Sequence, residues 1–112
     1  MKKIEAIIRE EKLGEVKEAL EKLNIFGMTV FDVKGRGSQR GISLQWRVGE
    51  YRVDFLPKKL VMMVVKDEEC APVIDTICAI SGSGAAGDGK IFISTIDEVI
   101  RVRTRETGET AL

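Results

Sequence analysis

The chain has 112 residues, with 18 lysines and arginines against 18 aspartates and glutamates, no histidine and two cysteines. A domain of this size buries roughly two-thirds of its unfolded surface, enough for one modest core that a subunit interface would extend. Zero net charge argues against a general nucleic-acid or anionic-membrane binder, and without histidine the commonest general base and metal ligand is missing.

Ile4-Glu5-Ala6-Ile7-Ile8 reads as a first strand. Leu13, Val16, Leu20 and Leu23 then recur at helical spacing. Asn24 and Gly27 suit the end of that helix because both tolerate positive φ. The β-branched and aromatic run 28–33 predicts a second strand, stopped by Gly35. Over 36–57 neither a helical stripe nor a strand emerges. Connections this long are uncommon in compact domains and are usually functional or disordered. Extended as two arms of about ten residues, this one would place its tip on the order of 30 Å from the body. Trp46 and Tyr51 fit burial beneath the loop and contact with a partner equally well.

Residues 60–65 are apolar on both faces, as a doubly covered strand should be. Asp67, Glu68 and Glu69 suit the positive end of a second helix, with Val73, Ile74, Ile77 and Cys78 as its buried stripe. Pro72 implies either a start near Cys70 or a kinked first turn. Eight residues apart on that helix, Cys70 and Cys78 would be about 12 Å apart, too far for a disulfide. No zinc-site spacing is present. A glycine-rich loop over 82–90 leads into a strand over 90–94. Val99-Ile100-Arg101-Val102-Arg103 alternates, predicting a short extra strand, and 104–112 reads as a flexible tail.

This order predicts a single α+β domain over 1–112. Its form is a ferredoxin-like βαββαβ sandwich with a long loop between strands 2 and 3 and a short extra C-terminal strand. Two helices would cover one face of an antiparallel sheet, leaving the other for a symmetric oligomer to cover. The longest apolar run, 60–65, is far below membrane-spanning length, and no signal-peptide pattern is visible. A cytoplasmic protein is expected.

Gly84-Ala85-Ala86-Gly87-Asp88-Gly89-Lys90 matches the first seven positions of a Walker A loop. Ile91 then stands where Ser or Thr is needed, and a strand follows instead of a helix. The glycines still let backbone amides approach an anion. Lys90, Arg101 and Arg103 would add up to three charges if loop and final strand converge, each charge-assisted bond contributing about 1.5–3 kcal/mol. The alternative is a surface turn with solvated basic side chains. Gly35-Arg36-Gly37-Ser38-Gln39-Arg40-Gly41 is a second phosphate-friendly segment. Gln39 and Lys58 bracket the long loop, as solvated side chains or as ligand contacts. Asp88, between glycines, is more often a turn-maker than a base. No nucleophile is paired with an activating base, so a non-enzyme is expected.

At these residues the chain resembles the P-II nitrogen regulatory proteins over essentially its whole length. The resemblance rests on 1–9, on Gly27-Met28-Thr29-Val30 with Val33-Lys34-Gly35, on 50–58, on Gly87-Asp88-Gly89-Lys90-Ile91-Phe92 and on Arg101-Val102-Arg103-Thr104. It implies a homotrimer with three ATP/ADP sites in clefts between subunits. Gly35, Gly37, Ser38, Gln39, Gly87, Asp88, Gly89 and Lys90 would form one wall. Thr29 and Val64 would lie near adenine and ribose, and Arg101 and Arg103 would reach phosphates, Arg103 from the neighbouring subunit. Gln39 would ligate Mg2+ together with the ATP phosphates and 2-oxoglutarate. Gln39, Arg40, Gly41, Lys58 and Gly87 would hold that acid, with Lys58 pairing its carboxylate. Residues 36–55 would be the T-loop. Through it the family regulates the ammonium channel, its only link to a membrane, and nitrogen-assimilation enzymes or their regulators. Tyr51 sits where some relatives are uridylylated. No nucleic-acid partner is implied.

Four positions depart from the family pattern: Ser38 replaces a common arginine, Ser83-Gly84-Ala85-Ala86 lacks a common lysine, Glu10-Glu11 replaces Pro-Phe, and Trp46 replaces tyrosine. The alternative reading is a P-II-like trimer that senses adenylates or another small anion, with a weakened 2-oxoglutarate response or none.

Overall fold

A computed structural model describes residues 1–37, 42–46 and 49–112, with 42–46 and 49–53 described as backbone alone. The elements are β1 (Lys2–Ile8), α1 (Leu13–Lys22), β2 (Thr29–Gly35), β3 (Ile42–Trp46), β4 (Gly49–Val53), β5 (Leu56–Val65), α2 (Asp67–Ser81) and β6 (Gly89–Thr95). Short 3-10 turns cover Glu10–Lys12 and Gly108–Ala111.

Strands β2, β5, β1 and β6 form one sheet in that order, every pair antiparallel. This is the expected ferredoxin-like sandwich. Alternation along β1 puts Ile4, Ala6 and Ile8 on the helix side. They pack with Val61, Met63 and Val65 of β5, Val16 and Leu20 of α1, and Val73 and Ile77 of α2. The opposite face carries Ile7, Leu60, Met62 and Val64, all partly exposed, between Phe31 and Phe92, which are 46% and 52% exposed. So much apolar surface on one sheet face is what an interface presents.

Helix α1 ends at Asn24, which takes the left-handed conformation at φ 61°. The Asn24 amide donates to Glu21 O and the Ile25 amide to Leu20 O, both at 3.0 Å, the bond pair of a Schellman motif. Ile25 is thereby tucked into the core beside Leu20. Gly27 takes no part through positive φ; Asn24 alone makes the stop. Helix α2 begins at Asp67, where Glu69 Oε1 accepts from the Lys66 amide at 2.9 Å. Pro72 therefore lies inside the helix rather than before it. Its missing N–H costs the Glu68 carbonyl its helical partner. The buried stripe is Val73, Ile77 and Ser81, while Cys78 is exposed; both cysteines are free thiols.

Two expectations need correction. The segment read as strandless contains the hairpin β3–β4, in register from Ile42↔Val53 to Trp46↔Gly49, and β5 begins at Leu56. The signal was present: Ile42, Leu44 and Trp46 alternate, as do Tyr51 and Val53, but interleaved polar residues and glycines masked it. The extra C-terminal strand does not form. Ile100 makes one isolated bridge to Thr107, and the chain reverses so that the Arg101 amide donates to Glu106 O at 2.9 Å. Arg105, at φ 61°, permits the reversal. Pairing is satisfied locally, leaving Ile100 61% and Val102 94% exposed. Beyond it, Gly108–Ala111 form the second 3-10 turn, with Ala111 buried.

Candidate functional site

The α2–β6 connection and the ends of β2 and β5 enclose a cleft of about 490 Å³. It opens beside Ile7 and Phe92 on the helix-free side of the sheet. The connection turns back through three glycines with positive φ, Gly84 (84°), Gly87 (93°) and Gly89 (116°). At Gly89 the constraint is also steric, since a Cβ there would lie 1.8 Å from the Ile7 carbonyl oxygen across the β1–β6 ladder.

Asp88 holds this loop together. One carboxylate oxygen accepts from the Ser83 amide at 2.7 Å and the Gly84 amide at 2.9 Å; the other accepts from the Ser83 hydroxyl at 2.6 Å. The Arg9 guanidinium lies 3.5 Å from it. The Ser83 hydroxyl first, then the two amides and Arg9, bring the Asp88 carboxyl from its ordinary 3.8 down to about 2. A carboxylate so engaged is a turn-maker and not a base. Because the folded value lies below the unfolded one, its stabilisation is complete above about pH 4 and fades as pH falls toward 2. Protection of the amides over 82–89, measured against their intrinsic exchange rates, should therefore fall on acidification through that window. Asp88→Asn should show lower protection at neutral pH and no further fall on acidification; an unchanged acid profile of protection in the variant would contradict this assignment.

Two cations hold carbonyls of the loop. Lys58, 8% exposed, donates from Nζ to Gly87 O at 2.6 Å. Arg9 donates from Nη2 to Ala86 O at 2.8 Å. Arg36 and Lys90 complete the basic lining.

Of the residues picked out in the sequence, the cleft unites Gly35, Gly37, Lys58, Gly87, Asp88, Gly89 and Lys90. Thr29 and Val64 lie toward the far end of the sheet, where they pair with Met62 and Lys3. Val64 is four residues from Leu60, the partner of Ile7, a separation of about 13 Å. Arg101 and Arg103 follow the far end of β6, whose last residue, Thr95, lies about 17 Å from Lys90 along the strand. The convergence of loop and C-terminal segment on which a three-charge site would depend is not seen within one chain, since neither arginine lines the cleft. Arg101 instead donates to Thr110 O at 3.1 Å and Leu112 O at 3.2 Å, and pairs with Glu106 at 3.3 Å. Ser38, Gln39, Arg40 and Gly41, and the side chains of Trp46 and Tyr51, lie outside the described residues. Pattern reading missed Arg9, Ile7, Leu56 and Phe92 as neighbours of the site. Only strand register could have revealed them, since Arg9 meets Ala86 across 77 positions.

Phe31 and Phe92 share the open face but sit on its two edge strands, about 14 Å apart. They are not the clustered aromatics with which an RNA-recognition sheet stacks bases.

The family model described as Nitrogen regulatory protein P-II matches residues 1–106. The chain is 53% identical over its full length to Nitrogen regulatory protein P-II 2 of Methanothermobacter thermautotrophicus, covering 97% of that protein. It is 52% identical to Nitrogen regulatory protein P-II of Rhizobium meliloti and 50% identical to that of Rhodobacter capsulatus, with full coverage of both chains in each case.

Proposed function

The chain belongs to the nitrogen regulatory protein P-II family, and on that premise we propose that it is a non-enzymatic signal transducer reading ATP, ADP and 2-oxoglutarate. The observation that carries this reading is the division of the expected nucleotide set. Gly35, Gly37, Gly87, Asp88, Gly89 and Lys90 line one cleft, while Thr29, Val64, Arg101 and Arg103 lie at the opposite end of the same sheet. A second copy laid against the apolar sheet face would bring its far end to the first copy's cleft. Closed threefold, this makes a homotrimer with three equivalent nucleotide sites, each incomplete without its neighbour.

The cleft suits polyphosphate. Glycines allow close backbone approach, Lys90 and Arg36 bring charge, and the one carboxylate among the described lining residues is already taken up by Ser83, Gly84 and Arg9. Among the described residues no group of three acidic, cysteine or histidine side chains could hold a metal. Mg2+ would rest on phosphate oxygens and Gln39, as suits a hard cation that keeps few protein ligands. When bound, it would supply positive charge beside the phosphates and the acid. Lys58 would take one carboxylate of that acid. The T-loop, 36–55, would then convert ligand state into a choice of partner, an ammonium channel or a nitrogen-assimilation enzyme or regulator, with Tyr51 open to uridylylation. This reading places the protein in the cytoplasm.

Calorimetry with native mass measurement tests the proposal. A trimer should bind three nucleotides and hold 2-oxoglutarate about 5- to 150-fold more tightly with Mg-ATP than with Mg-ADP, the range of a 1–3 kcal/mol coupling. A monomer, or no nucleotide binding at millimolar concentration, would dispose of it. The engagement of Arg101 by its own C-terminal segment, and Ala85 and Ala86 in the cleft wall, favour a second reading in which adenylates are sensed with little 2-oxoglutarate response. Equal 2-oxoglutarate affinity with either nucleotide would select it.

A further inference from the structure

The Ala86 and Gly87 carbonyls are each held by a cation, Ala86 O by Arg9 and Gly87 O by Lys58. Between them the backbone turns at Gly87, with φ 93°. In a trans peptide the C=O and the following N–H point in opposite directions. Arg9, by accepting no bond and donating to Ala86 O, therefore fixes the Gly87 N–H away from itself. No hydrogen bond engages that amide among the described residues.

Arg9 is tied at two points: Nη2 to Ala86 O at 2.8 Å, and Nε beside the Asp88 carboxylate at 3.5 Å. Asp88 in turn gathers Ser83 and Gly84. Arg9 also stands one residue beyond β1, whose Ile8 pairs with Gly89, so the clamp is anchored in the sheet itself. A Cβ on Gly87 would come within 3.2 Å of the Arg9 Nη2, which shows how closely the guanidinium backs the loop.

We propose that Arg9 is a positioning residue for anion binding: its guanidinium fork locks the Ala86–Gly87 peptide and Asp88 together, so that the Gly87 amide is held ready to donate to a phosphate or carboxylate oxygen. This rests on the nucleotide-binding reading above. Arg9 itself touches no ligand in this scheme. A preset amide escapes the ordering cost that a free glycine loop meets on binding.

The test uses the full chain as wild type, Arg9→Met, Arg9→Lys, Asp88→Asn and the Arg9→Met/Asp88→Asn double variant. Each is titrated with Mg-ATP by calorimetry, and amide exchange is followed without nucleotide. Arg9→Met should bind about tenfold more weakly or worse. Exchange should quicken over 84–89 while α1 and β5 keep their protection. Arg9→Lys should recover little, because one ammonium cannot span the carbonyl and the carboxylate as a planar fork does. The double variant should bind about as weakly as Arg9→Met, since both changes break one clamp. Should Arg9→Met fail to fold, Arg9→Lys and Asp88→Asn carry the same comparison. Binding by Arg9→Met within twofold of wild type, full rescue by lysine, additive losses, or lost protection throughout the fold would each overturn the proposal. Failure of the wild type itself to bind Mg-ATP would instead sink the nucleotide reading on which it rests.

Discussion

Gly89→Ala is expected to be the most damaging single-methyl change in the described chain. The added Cβ would lie 1.8 Å from the Ile7 carbonyl oxygen and 2.9 Å from its carbon, in a residue whose φ is already 116°. Neither side can yield cheaply. Ile7 belongs to β1, a central strand paired on both sides, so moving its carbonyl disturbs the β1–β5 ladder as well as β1–β6. Backbone strain and a broken ladder together should cost on the order of 3 kcal/mol or more. For a domain of this size that lowers Tm by roughly 12 °C. Gly84→Ala is the control: its φ is also positive at 84°, but nothing lies within 4 Å of the Cβ site. It should cost about 1 kcal/mol. Thermal unfolding of the two variants side by side decides the matter, and equal losses would show that the close approach to Ile7 has no energetic weight.

Lys58→Met should separate the two ligands. Lys58 is the buried cation of the cleft, 8% exposed, with Nζ donating to Gly87 O at 2.6 Å. Methionine keeps an unbranched apolar stem and discards only the charged end. If Lys58 receives a carboxylate of 2-oxoglutarate, losing that charge-assisted bond should weaken the acid about 10- to 100-fold. Nucleotide affinity should fall far less, because Lys90 and the loop amides remain. Folding stability should fall by about 1–3 kcal/mol, because Gly87 O loses its charge-assisted donor. Calorimetry with each ligand provides the readout. Equal losses for both would mean that Lys58 acts by holding Gly87 in place and not by meeting the acid.

Most of the framework was legible from residue order. β1, β5 and β6 were marked by alternating or continuous apolar runs, α1 by its stripe, and the end of α1 by Asn24, because each signal is local. The hairpin Ile42–Trp46 with Gly49–Val53 was overlooked because glycine and charge dilute a real alternation. The segment Val99-Ile100-Arg101-Val102-Arg103 misled in the opposite sense. It alternates as a strand should, yet the chain turns at Arg105 and pairs with itself. Alternation states what a strand would look like, not whether an edge is there to receive it.

Residue order by itself determined the glycine loop, the placing of Lys90 at the start of a strand and the family to which the chain belongs. These depend on residue types at short spacing. Folding alone decided that Lys58 is buried against Gly87, that Arg9 backs the loop, and that Thr29, Val64, Arg101 and Arg103 stand far from the cleft in the same chain. The reason is register: antiparallel pairing joins residues nearly eighty positions apart while separating others by the length of a strand. No local pattern encodes which of these a given side chain will meet.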